Sequence, residues 1–437
     1  MTNIDNASER NTETLLAAEM ARSEPHLVAP EATEALLADR LPVGAFAPYL
    51  LSAVALAIAY GSSFLLADML RVAGYGASKA GAVVSAGTVA TLIGSVFAGR
   101  LAERIGILPL VGASALTMAA AMSCFSLISV GGLLLAYVGG LLLGLGWAVF
   151  YMLAPIQVIH CLKPSARLEA LTLLSGSQML GIGLSAPIGH FIAQRFGTPT
   201  IAYALYAAFC GLAAAFAMLA RRQLKSQPQL PMRAVALSFT SIKSILRTRT
   251  AMPILMMGIA ACTFAGLSTF QSIYAQSRGL SPDAFFLTFT VTTVALRFSV
   301  ASLIGKLPLS RLAMTLFVVT LLGILLLAVN TGSSLLYIGA TILFATGYGL
   351  TYSTLNAMAV NLAEERSLSV PVASQVFTLG YFVGLFGFPY VAGHLIAGRG
   401  INSVLTTMMG LVVLNLVVVV LTLATSSRTT QMLSRKS

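Results

Sequence analysis

Twelve long apolar runs dominate this sequence, and each is long enough to cross a bilayer as a helix. Runs of about 18 or more apolar residues predict transmembrane helices. Because lipid offers no partner for backbone amides and carbonyls, each run must form its own hydrogen bonds as a helix. The chain is therefore predicted to be an all-α membrane protein with twelve transmembrane helices, numbered spans 1 to 12. These lie roughly at 46–67, 80–98, 108–129, 132–155, 169–192, 199–219, 251–275, 284–304, 310–330, 335–358, 370–396 and 402–425.

Composition supports the same class. The chain is 57% hydrophobic and 9% charged, whereas soluble domains are about 45–50% apolar and about 25% charged. If both termini face the cytoplasm, seventeen Lys and Arg residues of the loops and ends fall inside and five fall outside. The positive-inside rule then orients the chain with both termini cytoplasmic. The net charge of +12 follows from this bias and from attraction to membrane lipid, so no nucleic acid is expected as a partner.

The polar segments divide the chain into five parts. Residues 1–44 hold eight of the fourteen acidic residues and are predicted to be a disordered cytoplasmic tail. Two six-helix halves, 45–219 and 251–425, flank a basic cytoplasmic linker at 220–250. Residues 426–437 form a basic cytoplasmic tail.

Short repeats relate the two halves. "GHFIA" at 189–193 matches "GHLIA" at 393–397 in four of five positions, and "GLGWAVFY" at 144–151 shares a Gly-x-Gly with "GYGLTYST" at 347–354. The offsets, 204 and 203 residues, are nearly equal. Repeats at one offset are typical of transporters built from duplicated halves, and they predict a pseudo-symmetric pair of six-helix units.

A short charged motif follows the apolar run of span 2 and includes Gly99, Glu103, Arg104 and Gly106. With twelve spans, duplicated halves and a basic central loop, this pattern resembles the major facilitator superfamily (MFS) over about 46–425. The family's motif is Gly-x-x-x-Asp-Arg-x-Gly, and here Glu103 replaces the aspartate. The resemblance implies the MFS fold, transport of a small-molecule substrate by alternating access, and a cytoplasmic gate at this loop. The second-half counterpart retains Gly305 and a displaced Arg311. An ordinary positive-inside turn is the alternative.

A glycine- and proline-rich stretch on span 5 resembles the family's antiporter motif through Gly181, Gly183, Pro187 and Gly189. Span 11 contains a similar stretch that includes Gly387 and Pro389. In the family this motif accompanies exporters, so the resemblance favours efflux. Generic close packing of small residues between membrane helices is the alternative.

Polar and aromatic residues at helical spacing nominate a substrate cavity. In the family, spans 1, 4, 7 and 10 line most of it. Thr290, Thr293 and Arg297 share one face of span 8, and Arg297 is predicted to face protein or water because a lipid-facing arginine is costly. Packing is the alternative role for the aromatic residues. The candidate cavity residues are Tyr60, Trp147, Tyr151, Gln178, Gln271, Tyr274, Arg297, Tyr348, Tyr352 and Asn356.

Few charged groups lie within the spans. Asp68, at the outer end of span 1, is taken as the only carboxylate in the outer half and as the candidate proton-coupling residue. A water-exposed helix end beside Arg71 is the alternative. The four histidines and four cysteines show no metal-ligand or disulfide spacing.

These patterns predict a proton-motive-force-driven exporter of a drug-like compound or metabolite, with protons as the coupling ion. The alternative is a proton-coupled importer of an organic anion or nutrient, favoured by Arg297, and a non-transporting membrane sensor comes third. No nucleophile–base pair, phosphate loop or cofactor motif is present, so neither an enzyme nor a cofactor is expected. The expected setting is a monomer in the bacterial cytoplasmic (inner) membrane.

Overall fold

The computed structural model describes residues 43–224, 237–304 and 308–434. Within these ranges the regular structure is helical and contains no strand. The predicted tail at 1–44 lies almost wholly outside the described residues, as does the middle of the basic linker.

The first six spans run from Val43 to Leu224. Span 1 is broken, because helix Val43–Gly61 passes through a 3-10 turn, Ser62–Leu65, into helix Leu66–Val72. Spans 2 to 6 are Ala77–Ile105, Ile107–Ser126, Ile128–Cys161, Pro164–Phe196 and Thr200–Leu224.

The second six follow a short helix in the linker, Phe239–Leu246. Span 7 is also broken, into Ala251–Thr269 and Gln271–Gln276. Spans 8 to 12 are Pro282–Ile304, Leu309–Val329, Ser334–Glu364, Val370–Arg399 and Ile401–Ser434.

Eleven of these spans are long and apolar enough to cross a membrane. The remaining one, span 8, is a helix of 23 residues that carries Asp283 and Arg297. It packs between span 5 and span 10, where an eighth membrane helix would lie. The prediction of an all-helical bundle with twelve spans in two six-helix halves is confirmed.

Successive spans reverse direction, which gives the bundle two faces. We call the face where span 1 begins and span 12 ends the terminal face, and the other the distal face. Some turns are very tight, and Gly106 alone separates spans 2 and 3 at φ +88°. This conformation strains any residue with a side chain, so glycine suits the position.

The contacts within the two halves repeat with the span number raised by six. Span 1 packs on spans 5 and 6 as span 7 packs on 11 and 12, and span 3 packs on spans 4 and 6 as span 9 packs on 10 and 12. The halves meet mainly where span 2 packs on span 11 and span 5 packs on span 8. Any relative motion of the halves must therefore rearrange these two interfaces.

The interface between spans 2 and 11 is closed tightly at the distal face. An added Cβ at Gly81 would overlap the carbonyl oxygen of Pro389, and one at Gly393 would lie 2.5 Å from the carbonyl oxygen of Ala77. The Ser85 hydroxyl donates to the Gly387 carbonyl at 3.2 Å and accepts from the Tyr390 amide at 2.9 Å. Small residues let the backbones approach, and the distal ends of the two halves are joined.

Candidate functional site

Aromatic rings fill the centre of the bundle toward the distal face. Tyr60 on span 1 stacks on Trp147 of span 4 with ring centroids 4.2 Å apart. Phe64 of span 1 stacks on Phe286 of span 8 at 5.4 Å and meets Phe264 of span 7 edge-on at 5.9 Å. All five side chains are buried. Because these rings come from both halves, they form an apolar plug that must separate if the distal face is to open.

A second group of rings lies deeper, within electrostatic range of Arg297. The ring of Tyr151 (span 4) lies 5.9 Å from that of Tyr381 (span 11), and the Tyr381 ring is 5.3 Å from that of Tyr352 (span 10). With Tyr348, whose ring stacks on Phe264 at 4.9 Å, we call these four residues the tyrosine cluster. The Arg297 guanidinium interacts electrostatically with all four.

Arg297 has no acidic partner in the part of the chain that the structure describes. None of the ion pairs formed there includes it, and its Nε is closed to solvent without a hydrogen-bond partner. Such a cation inside a membrane protein is costly to keep. Phenol dipoles offset part of this cost, but they carry no negative charge.

The neighbours of Arg297 on span 8 fix its direction. Thr290 and Thr293 are buried; an added Cβ at Gly183 of span 5 would overlap Thr290, and one at Gly349 of span 10 would lie 2.9 Å from Thr293 Cγ2. Arg297 follows Thr293 by one helical turn on the same side. It therefore points into the protein, as its sequence environment predicts.

The other predicted cavity residues do not all join this site. Gln178 is buried on span 5, and Asn356, one turn beyond Tyr352, has an Oδ1 without a partner. Gln271 donates to the Tyr337 hydroxyl, and the Tyr274 hydroxyl donates to the Leu327 carbonyl at 2.7 Å. These two side chains connect span 7 to spans 10 and 9 and lie apart from the tyrosine cluster.

Three titratable groups meet at the distal face, and we call them the distal triad. His190 Nδ1 lies 2.5 Å from Asp283 Oδ1, and its Nε2 lies 3.5 Å from Asp68 Oδ2. The other Asp68 oxygen lies 3.5 Å from Arg71 and accepts a hydrogen bond from Gln276 at 3.4 Å. Spans 1 and 5 of the first half are thereby joined to spans 7 and 8 of the second.

The distal triad corrects the sequence interpretation in two respects. Asp68 is not the only carboxylate in this region, because Asp283 lies at the start of span 8. The side chains of Asp68 and His190 are each 15% exposed and that of Asp283 is 29% exposed, so this is no fully solvated helix end. In the sequence, the Gly-His pair repeated in spans 5 and 11 was the pattern that could have drawn attention to His190. No comparable pattern draws attention to Asp283.

The residues of the predicted gate motif lie at the terminal face. Glu103 and Arg104 are exposed in the last turn of span 2, and Gly99 is partly buried. Arg311 is exposed in the first turn of span 9, and Gly305 lies outside the described residues. The gating role stays a prediction.

The small residues of span 5 lie at helix contacts. An added Cβ at Gly181 would be 2.5 Å from the Val54 carbonyl oxygen of span 1, and one at Gly189 would overlap Leu65. Pro187 is partly buried inside the helix. On span 11, the Pro389 carbonyl faces Gly81, whereas an added Cβ at Gly387 would meet open space. Most of these residues thus lie where span 1 contacts span 5, where span 5 contacts span 8, or where span 2 contacts span 11.

Comparison with known proteins identifies a family. The model of the Major Facilitator Superfamily matches residues 48–385. The MFS-type transporter YhhS of Escherichia coli K12 is 25% identical over 161 residues, which is 37% of this chain and 39% of that protein. YhhS of Shigella flexneri matches to the same extent. The matched stretch is therefore well under half the length of these relatives.

Solved structures show the same fold. The nucleoside transporter NupG superposes with a TM-score of 0.66 at 11% identity, covering 85% of this chain and 98% of that one. The human organic anion transporter MFSD10 gives 0.63 at 14% identity, covering 87% of this chain and 100% of that one. The E. coli fucose:proton symporter FucP gives 0.59 at 14% identity, covering 86% and 98%. With its twelve-span fold, its two related halves and the family match over most of its length, the chain belongs to the Major Facilitator Superfamily.

Proposed function

We propose that this chain is a proton-coupled secondary transporter that exports a small organic solute by alternating access. The observation that carries the proposal is the distal triad. Its three groups are titratable, partly exposed and divided between the halves, with Asp68 and His190 in the first and Asp283 in the second. Proton occupancy there is therefore linked to the separation of the halves.

Charge accounts for this linkage. An imidazolium between two ionised carboxylates attracts both, and the halves are held together at the distal face. Opening that face would move Asp283 away from His190 and admit water, from which the carboxylates can take protons in an acidic medium. Closing the face again favours ionised carboxylates. Proton binding and release would thus alternate with the conformation of the transporter.

The proposed orientation places the terminal face in the cytoplasm. Arg100 and Arg104 lie at that face near the end of span 2, Arg311 lies in the first turn of span 9, and Arg366 lies in the turn after span 10. The distal face has fewer basic residues, and cytoplasmic loops carry the excess in membrane proteins. A bacterial cytoplasmic membrane, a monomeric state and contact with anionic lipid belong to the same proposal.

Export is favoured by the antiporter-like residues of span 5, since Gly183 lies directly in the contact between the halves. Import of an organic anion is the second candidate, and the unpaired Arg297 favours it. The media of a deletion strain and an overexpressing strain distinguish the two. A metabolite missing from the medium on deletion indicates export, whereas one left unconsumed indicates import.

Everted vesicles then test the coupling with that metabolite. Asp68→Asn is expected to lose accumulation driven by a pH gradient while retaining exchange of labelled against unlabelled solute. Glu169→Gln, which neutralises an exposed carboxylate at the terminal end of span 5, is the matched control and is expected to accumulate normally. Gradient-driven accumulation by Asp68→Asn at the wild-type rate would remove the triad from the mechanism.

A further inference from the structure

The Arg297 site has a positive charge and no negative one. Its Nε is shut off from solvent without a partner, and no carboxylate pairs with it among the described residues. A guanidinium presents donors in a planar fork that matches an acid group at two points. The side chain is partly buried, and a buried donor without a partner is unfavourable, so the site favours an anion.

Helix register places the charge beside the tyrosines. Span 8 touches span 10 where Thr293 meets Gly349. From this contact Arg297 lies one turn toward the terminal face on span 8, and Tyr352 lies three residues toward the same face on span 10. Both therefore stand at one level in the bundle, in agreement with the electrostatic interaction between them.

The charge of the ligand is limited by the cations present. Among the described residues, Arg297 is the cation within electrostatic range of Tyr151, Tyr348 and Tyr352. A single guanidinium balances one negative charge. A carboxylate monoanion therefore fits better than a phosphate ester, which would bring a second charge without a partner.

The walls favour a flat ligand. Tyr151, Tyr352 and Tyr381 pack with centroid distances of 5.3–6.3 Å in stacked and edge-on geometries, which are the arrangements that aromatic rings prefer. The ring of Trp147 lies 5.6 Å from that of Tyr151, and its indole Nε1 is buried without an acceptor. The site thus offers aromatic faces and an unused hydrogen-bond donor.

We propose that the Arg297 site binds a small organic monoanion with a planar ring, its carboxylate held by Arg297 and its ring packed against the tyrosine cluster. Tyr151 belongs to the first half and the other three tyrosines to the second, so one ligand contacts both halves. The inference rests on the proposed transport function, for which it names the substrate class.

Trp147 provides the test, because it is the only tryptophan in the chain and its ring lies 5.6 Å from that of Tyr151. The purified protein in lipid nanodiscs is titrated with benzoate, phenylacetate and cinnamate while indole fluorescence is recorded. Benzyl alcohol is the neutral probe of similar shape, and cyclohexanecarboxylate is the anion without a planar ring. We expect a saturable change with at least one aromatic carboxylate, and binding weaker by at least about tenfold for the alcohol and for cyclohexanecarboxylate.

Arg297→Lys keeps the charge but loses the fork, so we expect binding weakened by about tenfold or more. Arg297→Gln should abolish the response. Arg195→Gln, an exposed arginine at the distal end of span 5, is the matched control and should bind normally. Gel-filtration profiles show whether each variant is folded. The inference is overturned if no aromatic carboxylate gives a saturable response, if benzyl alcohol binds as well as the carboxylates, or if folded Arg297→Gln binds normally. If cyclohexanecarboxylate binds as well as the aromatic carboxylates, the requirement for a planar ring is wrong.

Failure of this inference can be distinguished from failure of the proposed proton coupling. Asp68 lies outside this site, so Asp68→Asn should retain the saturable carboxylate binding that Arg297→Gln abolishes while losing gradient-driven accumulation. Intact coupling without carboxylate binding would refute only the substrate class. Intact binding with unaltered coupling in Asp68→Asn would refute only the role of the triad.

Discussion

His190 Nδ1 lies 2.5 Å from Asp283 Oδ1, and this contact joins span 5 of the first half to span 8 of the second. The duplicated histidine shows that the contact is not a general requirement of the fold. His394, at the matching position of span 11, is exposed; its ring nitrogen lies 2.8 Å from the Tyr390 carbonyl oxygen on its own helix. Only one of the two related histidines therefore bridges the halves.

His190→Gln is expected to raise the ratio of distal-open to distal-closed molecules by about tenfold, because a neutral amide loses the attraction to both carboxylates. Spin labels at Phe196 and Ser281, which are exposed at the distal ends of spans 5 and 8, report the separation in lipid nanodiscs. The background carries alanine at Cys124, Cys161, Cys210 and Cys262.

His394→Gln is the control for that measurement and should leave the distance distribution unchanged. Equal effects of the two histidine substitutions would contradict a specific role for the distal triad.

The closed population is expected to peak at intermediate pH. The triad attracts only while the imidazole is protonated and the carboxylates are ionised. Raising the pH through the imidazole titration removes the positive charge, and lowering it through the carboxylate titrations removes the negative charges, so both changes favour opening. The groups that face the triad and share in this balance are Arg71, Tyr203, Ser272, Gln276 and Tyr337.

The same spin-label pair measures this profile between about pH 3 and about pH 10, a range that includes the ordinary carboxylate and imidazole titrations. Asp283→Asn should flatten it. A profile that remains peaked in Asp283→Asn would exclude the triad as the pH-sensitive element.

Gly183→Val should impair transport, because its side chain would overlap Thr290 in the contact between spans 5 and 8. Overpacking of this kind costs about 1–3 kcal/mol. Thr290→Ala in the same chain removes the Thr290 hydroxyl, which overlaps the added Cβ most, and should restore part of the activity. Gly387→Val, where an added Cβ meets open space, should transport normally. Absence of rescue by Thr290→Ala would argue against this contact as the cause.

Glu103→Gln and Arg104→Ala should slow transport without reducing membrane insertion. Both side chains are exposed in the last turn of span 2 and cross no lipid, so their loss leaves the spans intact. Initial rates in vesicles, normalised to the inserted protein, measure the effect. Arg100→Ala, another exposed charge four residues earlier on the helix, is the control. Wild-type rates in both variants would contradict the gate at this loop.

Much of the fold could be predicted from the sequence, because the physical constraint is local. A run such as 335–358 must be helical in lipid whatever its neighbours are, and the repeated Gly-His of spans 5 and 11 reports the duplication. The inward direction of Arg297 was also predictable, since the cost of exposing a guanidinium to lipid depends on depth alone.

The candidate sites depended on the tertiary structure. In the sequence, Asp283 beside Pro282 resembles any acidic residue in the first turn of a helix. His190 precedes it by 93 residues, so no local pattern connects the two. Gln271 and Tyr274 have the spacing of cavity residues, yet the Gln271 amide nitrogen donates to Tyr337 and the Tyr274 hydroxyl donates to Leu327. Hydropathy and repeats determined the spans, the halves and the family. Which polar groups meet was decided only by helix packing, because rotation and register bring together side chains whose distance along the chain carries no information about contact.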